Sequence, residues 1–379
     1  MKLSRFLLIT ALLCFSFSLS AQVNNHHEDQ VLYSAHLDEY RGIKISLPAD
    51  YDQHNKSYPV LYVLDGEWVF DYAIGCVDFL SNEILGQIPK MIVVGIPNTD
   101  RKRDLYVNLE SDGSYHRFLN FMEEELMPFI NKKFRTNGFD LIYGWSSGSG
   151  ICTQLLASRP RLFDAYIESG SGIGRKTEAF LYKELAKRKF DNSHLYVSTE
   201  GKSPIRVEGV RRYSMLVDSL KPEGLHYKFE VLENLAHLDV LSQGLYAGLK
   251  YIFSSFQVPE AIVLEGTQAI KAYFAQLNDA YAFELEIPVG IFTESASVLE
   301  QHQQLEEAIK LLKLGLETYP ESPSLAGSLG ELYEQKEMYP EAMDYYQKAM
   351  DLSKRNQILL FKYQTLYQQI KEGESKSDG

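Results

Sequence analysis

The segment Gly144-Trp145-Ser146-Ser147-Gly148 constrains this chain more than any other. It follows the apolar run Phe139-Asp140-Leu141-Ile142-Tyr143 and leads into a helix-like run, Ile151 to Ser158. A strand, then G-x-S-x-G, then a helix places the serine on a tight, strained turn with its hydroxyl exposed above a sheet. The flanking positions are glycines because a side chain at either would collide with neighbouring backbone. In this setting the pentapeptide points to a serine hydrolase.

The rest of the chain supplies the setting. From about residue 30 to residue 258, short β-rich runs alternate with longer helical ones. Expected strands are Val31–Leu37, Gly42–Leu47, Pro59–Leu64, Met91–Ile96, Asp140–Trp145, Ala165–Ser169, Leu195–Thr199 and Tyr227–Leu232. The first two read as an antiparallel pair joined by Asp38–Arg41. Expected helices are Tyr115–Phe134, kinked at Pro128, and Ile151–Ser158, Thr177–Arg188, Arg206–Leu220 and Asp239–Phe256. The alternation implies an α/β fold with a mostly parallel central sheet, helices on both faces and catalytic groups at the carboxyl ends of its strands.

Residues 264–370 carry only helical periodicity. Glu307-Ala308-Ile309 recurs as Glu341-Ala342-Met343, a period of 34 residues. Leu329-Gly330, Tyr333, Ala342, Tyr346 and Ala349 fall on tetratricopeptide spacing, in which small residues let paired helices approach closely. This segment is expected to cap and pack as a short repeat array. It would offer a surface for a protein partner or self-association, or cover the mouth of the site. Residues 371–379 read as a disordered tail.

The amino terminus reads as a secretory leader over residues 1–21. Lys2 and Arg5 precede an apolar run, Phe6 to Phe17, too short to span a bilayer, and Leu19-Ser20-Ala21-Gln22 offers a cleavage site. An exported protein, periplasmic or secreted, is expected. Cys14 lies inside the apolar run and not at its end, which argues against a lipid anchor. Losing the leader takes the formal charge from −13 to −15, which argues against nucleic acid or an anionic membrane as partner and leaves a small-molecule substrate. Of three cysteines, Cys76 and Cys152 remain, either paired or as buried thiols. There is no zinc spacing, Walker loop or G-x-G-x-x-G, so neither metal nor cofactor is expected.

A serine hydroxyl needs a base, and the base needs an orienting acid. In this topology they follow in the order serine, acid, histidine. His237 lies in Glu233–Val240, directly after the last expected strand, where that order requires a base. The acid should follow Leu195–Thr199. Glu200 is the first carboxylate there and Glu208 the next, while Asp239 could cap the helix it begins. Oxyanion donors are expected from the backbone N–H of Ser147 and of Glu67, the latter in the turn Leu64-Asp65-Gly66-Glu67-Trp68. Trp68 and Trp145 are candidates for the substrate pocket wall.

Several segments in register resemble the "putative esterase" family of α/β-hydrolases. They are Tyr58–Gly66 (YPVLYVLDG), Arg101–Leu105 (RKRDL), Glu124–Ile130 (EELMPFI), Gly144–Gly150, Pro160–Ala165, Ser169-Gly170-Ser171 and His237–Val240. That family includes ferric-siderophore, feruloyl and acetyl esterases and S-formylglutathione hydrolase. The resemblance spans about residues 33–256. It implies ester hydrolysis by Ser146 and His237 with Glu200 as the acid. Trp145 stands where the family usually has histidine and Ser149 where it has glycine. These departures, with the appended helices, motivate an alternative: a degenerate hydrolase fold serving as a binding or scaffold protein.

Overall fold

A computed structural model describes residues 27–53, 55–107, 114–170, 172–281 and 283–377. The expected leader and Ser171 lie outside the described residues. The strands are β1 (His27–Ser34), β2 (Glu39–Ser46), β3 (Tyr58–Leu64), β4 (Ile92–Ile96), β5 (Thr136–Trp145), β6 (Ala165–Ser169), β7 (Ser193–Glu200) and β8 (Leu225–Leu232). They form one sheet in the order β1-β2-β4-β3-β5-β6-β7-β8. β2 runs antiparallel to both β1 and β4, and the remaining pairs are parallel. Every residue of β3, β4 and β6 is buried, as parallel strands covered on both faces require. This mixed α/β arrangement is consistent with an α/β-hydrolase-like fold.

Helices α1 (Gly66–Ser81), α2 (Arg101–Leu105) and α3 (Ser114–Asn120) are followed by a π-turn, Phe121–Leu126, and by α4 (Met127–Lys133). Next come α5 (Ser147–Ser158), α6 (Arg175–Leu185), α7 (Pro204–Leu220) and α8 (Asp239–Ile252). The side-chain alternation of β3 sorts these into two layers. Leu61 and Val63 face a core shared with α1 and α8. Val60, Tyr62 and Leu64 face one shared with α3, α5, α6 and α7. Cys76 lies in the first core and Cys152 in the second, both as free thiols, so the sheet separates them.

Two local expectations change. The helix anticipated at Tyr115–Phe134 is broken before Pro128, not at it: the Met127 N–H bonds Met122 O, widening the register to a π-turn. Pro128 then sits in the first turn of α4, where its missing N–H is harmless. Helix α1 was not anticipated at all.

The carboxyl-terminal helices are α9 (Glu260–Leu264), α10 (Thr267–Tyr281), α11 (Val289–Gln301), α12 (Leu305–Thr318), α13 (Pro323–Gln335), α14 (Tyr339–Leu352) and α15 (Gln357–Ser377). Backbone helix continues to Ser377 where a disordered tail was expected, a run rich in the helix formers Lys and Glu. The helices share the α1/α8 core. Phe139, near the amino end of β5, packs on Tyr281 and Phe283 at 5.6 and 5.5 Å between ring centroids. His194, at the amino end of β7, stacks on Tyr281 at 6.1 Å. Asn192 donates to Ala280 O, and Ser322 to Glu83. The helical segment therefore buttresses the amino ends of the strands. Ser146 follows the carboxyl end of β5, so the segment does not cover the mouth of the site.

One buried acid pair makes stability pH-dependent. Burial, reinforced by the Asp164 charge, pushes the Asp140 carboxyl up to about 7. Its Oδ1 and the nearby Tyr62 hydroxyl have no hydrogen-bond partner among the described residues. A carboxyl that keeps its proton in the native state to about pH 7, but loses it near 4 when unfolded, makes stability fall as pH rises between those values, by on the order of 3–4 kcal/mol. Asp140→Asn should therefore melt higher than the wild type at pH 8, with most of the gain gone at pH 4.5. Equal gains at both pH values would reject this account.

Candidate active site

Strand β5 ends at Trp145 and α5 begins at Ser147, leaving Ser146 as the hinge with φ 56° and ψ −114°. A non-glycine residue at positive φ stores backbone strain that the surrounding fold must hold. The turn closes so tightly that a Cβ on Gly144 would lie 2.4 Å from the Gly148 carbonyl group. The Ser146 N–H is fixed to Ser169 O at 2.9 Å. The hydroxyl is partly exposed and lies 3.0 Å from His237 Nε2.

His237 arrives from the loop between β8 and α8. Its Nδ1 lies 3.1 Å from Oε1 of Glu200, the last residue of β7, whose side chain is 3% exposed. Thr199 donates to the other oxygen at 3.2 Å. Glu200 is thus the carboxylate that meets the histidine. Glu208 is exposed on α7 and pairs with Arg212. Asp239 accepts from the Ala236 N–H at 3.0 Å, which shapes the histidine loop.

The elbow sits against the turn after β3. Asp65 adopts φ 55°, and its carboxylate takes two bonds from Arg101, 2.7 Å to Nε and 2.9 Å to Nη2, and one from Asn98 at 2.7 Å. The Asp65 partner raises the Arg101 guanidinium above its ordinary value. Arg101 Nη1 also donates to Ser147 Oγ at 3.4 Å, tying the turn to the elbow. Ser147 opens α5 and Glu67 is second in α1, so both amides are first-turn N–H groups without intrahelical acceptors. Neither has a protein acceptor among the described residues. The Glu67 carboxylate is taken by Asn98, through its N–H at 3.0 Å and Nδ2 at 2.8 Å.

The two tryptophans differ. Trp68 is 60% exposed beside this turn, with the Arg101 guanidinium 5.6 Å over its ring. Trp145 stacks on the His237 imidazole at 4.8 Å, and its Nε1–H donates to His237 O at 2.9 Å. Two further contributors carried no sequence signal as site residues. Arg206, in the first turn of α7, reaches Glu200 and His237. Gly170 (φ 61°) leaves the space the imidazole fills: a Cβ there would lie 2.7 Å from His237 Cε1. Gly170→Ala should displace the ring by a few tenths of an ångström or more and lower kcat about 100-fold while the protein stays folded. Steady-state kinetics beside a melting curve check this, and unchanged kcat would reject it.

A family model described as putative esterase matches residues 34–280. No curated protein matches the chain. Among solved structures, an IroE-like serine hydrolase from Shewanella oneidensis is 25% identical with a TM-score of 0.62, covering 75% of this chain and 96% of its own. An uncharacterised protein from Capnocytophaga ochracea DSM 7271 is 17% identical with a TM-score of 0.61, covering 91% of this chain and 99% of its own. The BES protein from Bacillus cereus is 24% identical with a TM-score of 0.53, covering 60% and 94%. The last two likenesses concern the fold alone. The Capnocytophaga likeness extends past the sheet into the carboxyl-terminal helices. With the family model spanning well over half of the sequence, this chain belongs to the "putative esterase" family and is a carboxylic ester hydrolase.

Proposed function

We propose that the chain is an exported serine esterase that acts through an acyl-enzyme. The observation that carries this reading is the line of contacts from Ser146 Oγ to His237 Nε2 and from His237 Nδ1 to Glu200. Ser146 attacks the ester carbonyl carbon while His237 Nε2 takes its proton. The imidazolium, its charge met by Glu200, passes that proton to the departing alcohol oxygen. Water then attacks the acyl-enzyme with His237 again as base, releasing the acid and restoring Ser146. The N–H groups of Ser147 and Glu67 would receive the oxyanion. Trp68 borders the pocket, while Trp145 serves it indirectly by holding the histidine. The substrate is a small-molecule ester, and Leu64-Asp65-Gly66 with Arg101–Leu105, which resemble the siderophore-esterase branch of the family, favour siderophore-esterase-like chemistry.

Export rests on the charged and apolar leader of residues 1–21. Residues 30–258 would form the catalytic unit, and 264–370 a tetratricopeptide-like segment available to a protein partner or a second copy. The buried Ala308 and Ala342, and Gly330 packed on the Tyr346 ring, support close helix pairing of that kind.

The test is a fluorophosphonate probe followed by peptide mass spectrometry. The expected result is one adduct, on Ser146, lost in Ser146→Ala together with turnover of p-nitrophenyl acetate. An adduct elsewhere, or equal turnover in the variant, would overturn the mechanism and favour the scaffold alternative.

A further inference from the structure

Arg206 places a cation where it works against a general base. Its Nε lies 3.2 Å from Glu200 Oε1, the same oxygen that faces His237 Nδ1. Its Nη1 contacts both ring nitrogens of His237, at 2.7 Å from Nε2, and lies 3.4 Å from Gly170 O. One atom within reach of both ring nitrogens must lie over the face of the imidazole and not along either lone pair. The contacts of Nε2 with Ser146 and of Nδ1 with Glu200 are present alongside it, and Trp145 stacks on the same imidazole.

The electrostatic consequence follows from the mechanism. Acylation turns the imidazole into a cation, and one carboxylate, Glu200, must then answer two positive groups. Docked Arg206 thus opposes the charge that develops on His237. Yet this arginine is not locked in. Its side chain is 35% exposed, and Nη2 has no acceptor among the described residues. The neighbouring Ile205 and Leu238 are 83% and 69% exposed, so the guanidinium sits at an open rim. An anion presented there can take two parallel N–H bonds from the guanidinium and draw it off the ring, which a neutral group cannot do.

We propose that Arg206 is a specificity-determining residue that selects esters carrying a carboxylate or comparable anion, whose binding lifts the guanidinium from the general base. The proposal rests on the serine-esterase reading and names the substrate class of that site. The favoured substrate has its anionic group on the part of the molecule that lies toward α7.

The test compares two p-nitrophenyl esters of equal chain length, the monoester of adipic acid and the ester of hexanoic acid, on wild type, Arg206→Gln and Arg206→Lys. The wild type should prefer the anionic ester at least 10-fold in kcat/KM. Arg206→Gln should raise KM for that ester about 10-fold and raise kcat for the neutral one severalfold. Arg206→Lys should retain part of the preference. A purely structural role would lower kcat for both esters alike, and that result, or a preference that survives in Arg206→Gln, overturns the proposal. If Arg206→Gln does not fold, inhibition of the wild type decides: adipate should compete with the neutral ester and adipamide should not, and equal inhibition rejects the proposal. No turnover of either ester, together with no probe adduct on Ser146, would remove the serine-esterase reading and this inference with it.

Discussion

On the proposed acyl-enzyme mechanism, Ser146→Ala and His237→Ala should each lower kcat for p-nitrophenyl acetate by about 10⁴-fold or more, with the double variant no worse than either single one. The reason is that, in the proposed mechanism, nucleophile and base act as one unit. With the hydroxyl gone, His237 has no proton to accept at 3.0 Å; with the imidazole gone, the hydroxyl keeps its proton and is a poor nucleophile. A residual rate above water would come from the amide donors proposed at Ser147 and Glu67 and from binding. Steady-state kinetics on the three variants, with folding checked by circular dichroism, decide the matter. Multiplicative losses in the double variant would mean that the two residues contribute separately, and the acyl-enzyme scheme would fall.

Asp104→Ala should destabilise the protein by about 3 kcal/mol, because it removes the buried counter-charge of Arg41 and leaves that cation only the partly exposed Glu39, at 3.0 Å. Arg41 and Asp104 are both fully buried and paired. The Arg41 guanidinium lies 5.7 and 5.5 Å from the Phe118 and Phe121 ring centroids, and also donates to Thr99 and Pro97 O. Arg103 bridges Asp104 to Glu39, whose carboxyl it holds down at about 2. The Arg-x-Arg-Asp motif is therefore divided in its work. Arg103 and Asp104 anchor α2, and Arg101 in the same helix holds Asp65 in the turn beside the elbow. Urea denaturation at pH 7 measures the loss. The double variant Arg41→Leu/Asp104→Leu should be less destabilised than Asp104→Ala, since it removes charge and counter-charge together. A loss below about 1 kcal/mol in Asp104→Ala would show that the pair contributes little.

Much of the site was legible in the residues, for a reason that differs by element. The elbow is a local object: glycines flanking a serine between an apolar strand and a helix admit few backbone paths, so Ser146 could be found without any long-range information. His237 followed from chain order. Helix α1 escaped notice because its composition misleads. It carries Gly75 and the β-prone Val69, Tyr72 and Ile74, and its first residue is a glycine. Asp65, a good capping residue by type, makes no side-chain cap there because its carboxylate is committed to Arg101 and Asn98. Tertiary contact, not intrinsic propensity, makes this segment helical. The break at Phe121–Leu126 escaped for a similar reason, since Pro128 tells where a helix cannot continue regularly but not how the preceding turn will yield.

The sequence by itself determined the strand–turn–helix around Ser146, the alternation that builds the sheet, and the candidates for base and acid. These depend on sterics within a few residues and on the order of elements along the chain. Only the tertiary structure brought Glu200, and not Glu208, within bonding distance of His237, set Arg206 and Trp145 against that histidine, and put the carboxyl-terminal helices at the end of the sheet away from Ser146. Those are through-space choices between residues about 30 to 140 positions apart. They are settled by which side chains the folded sheet brings within bonding distance, and no local periodicity encodes that.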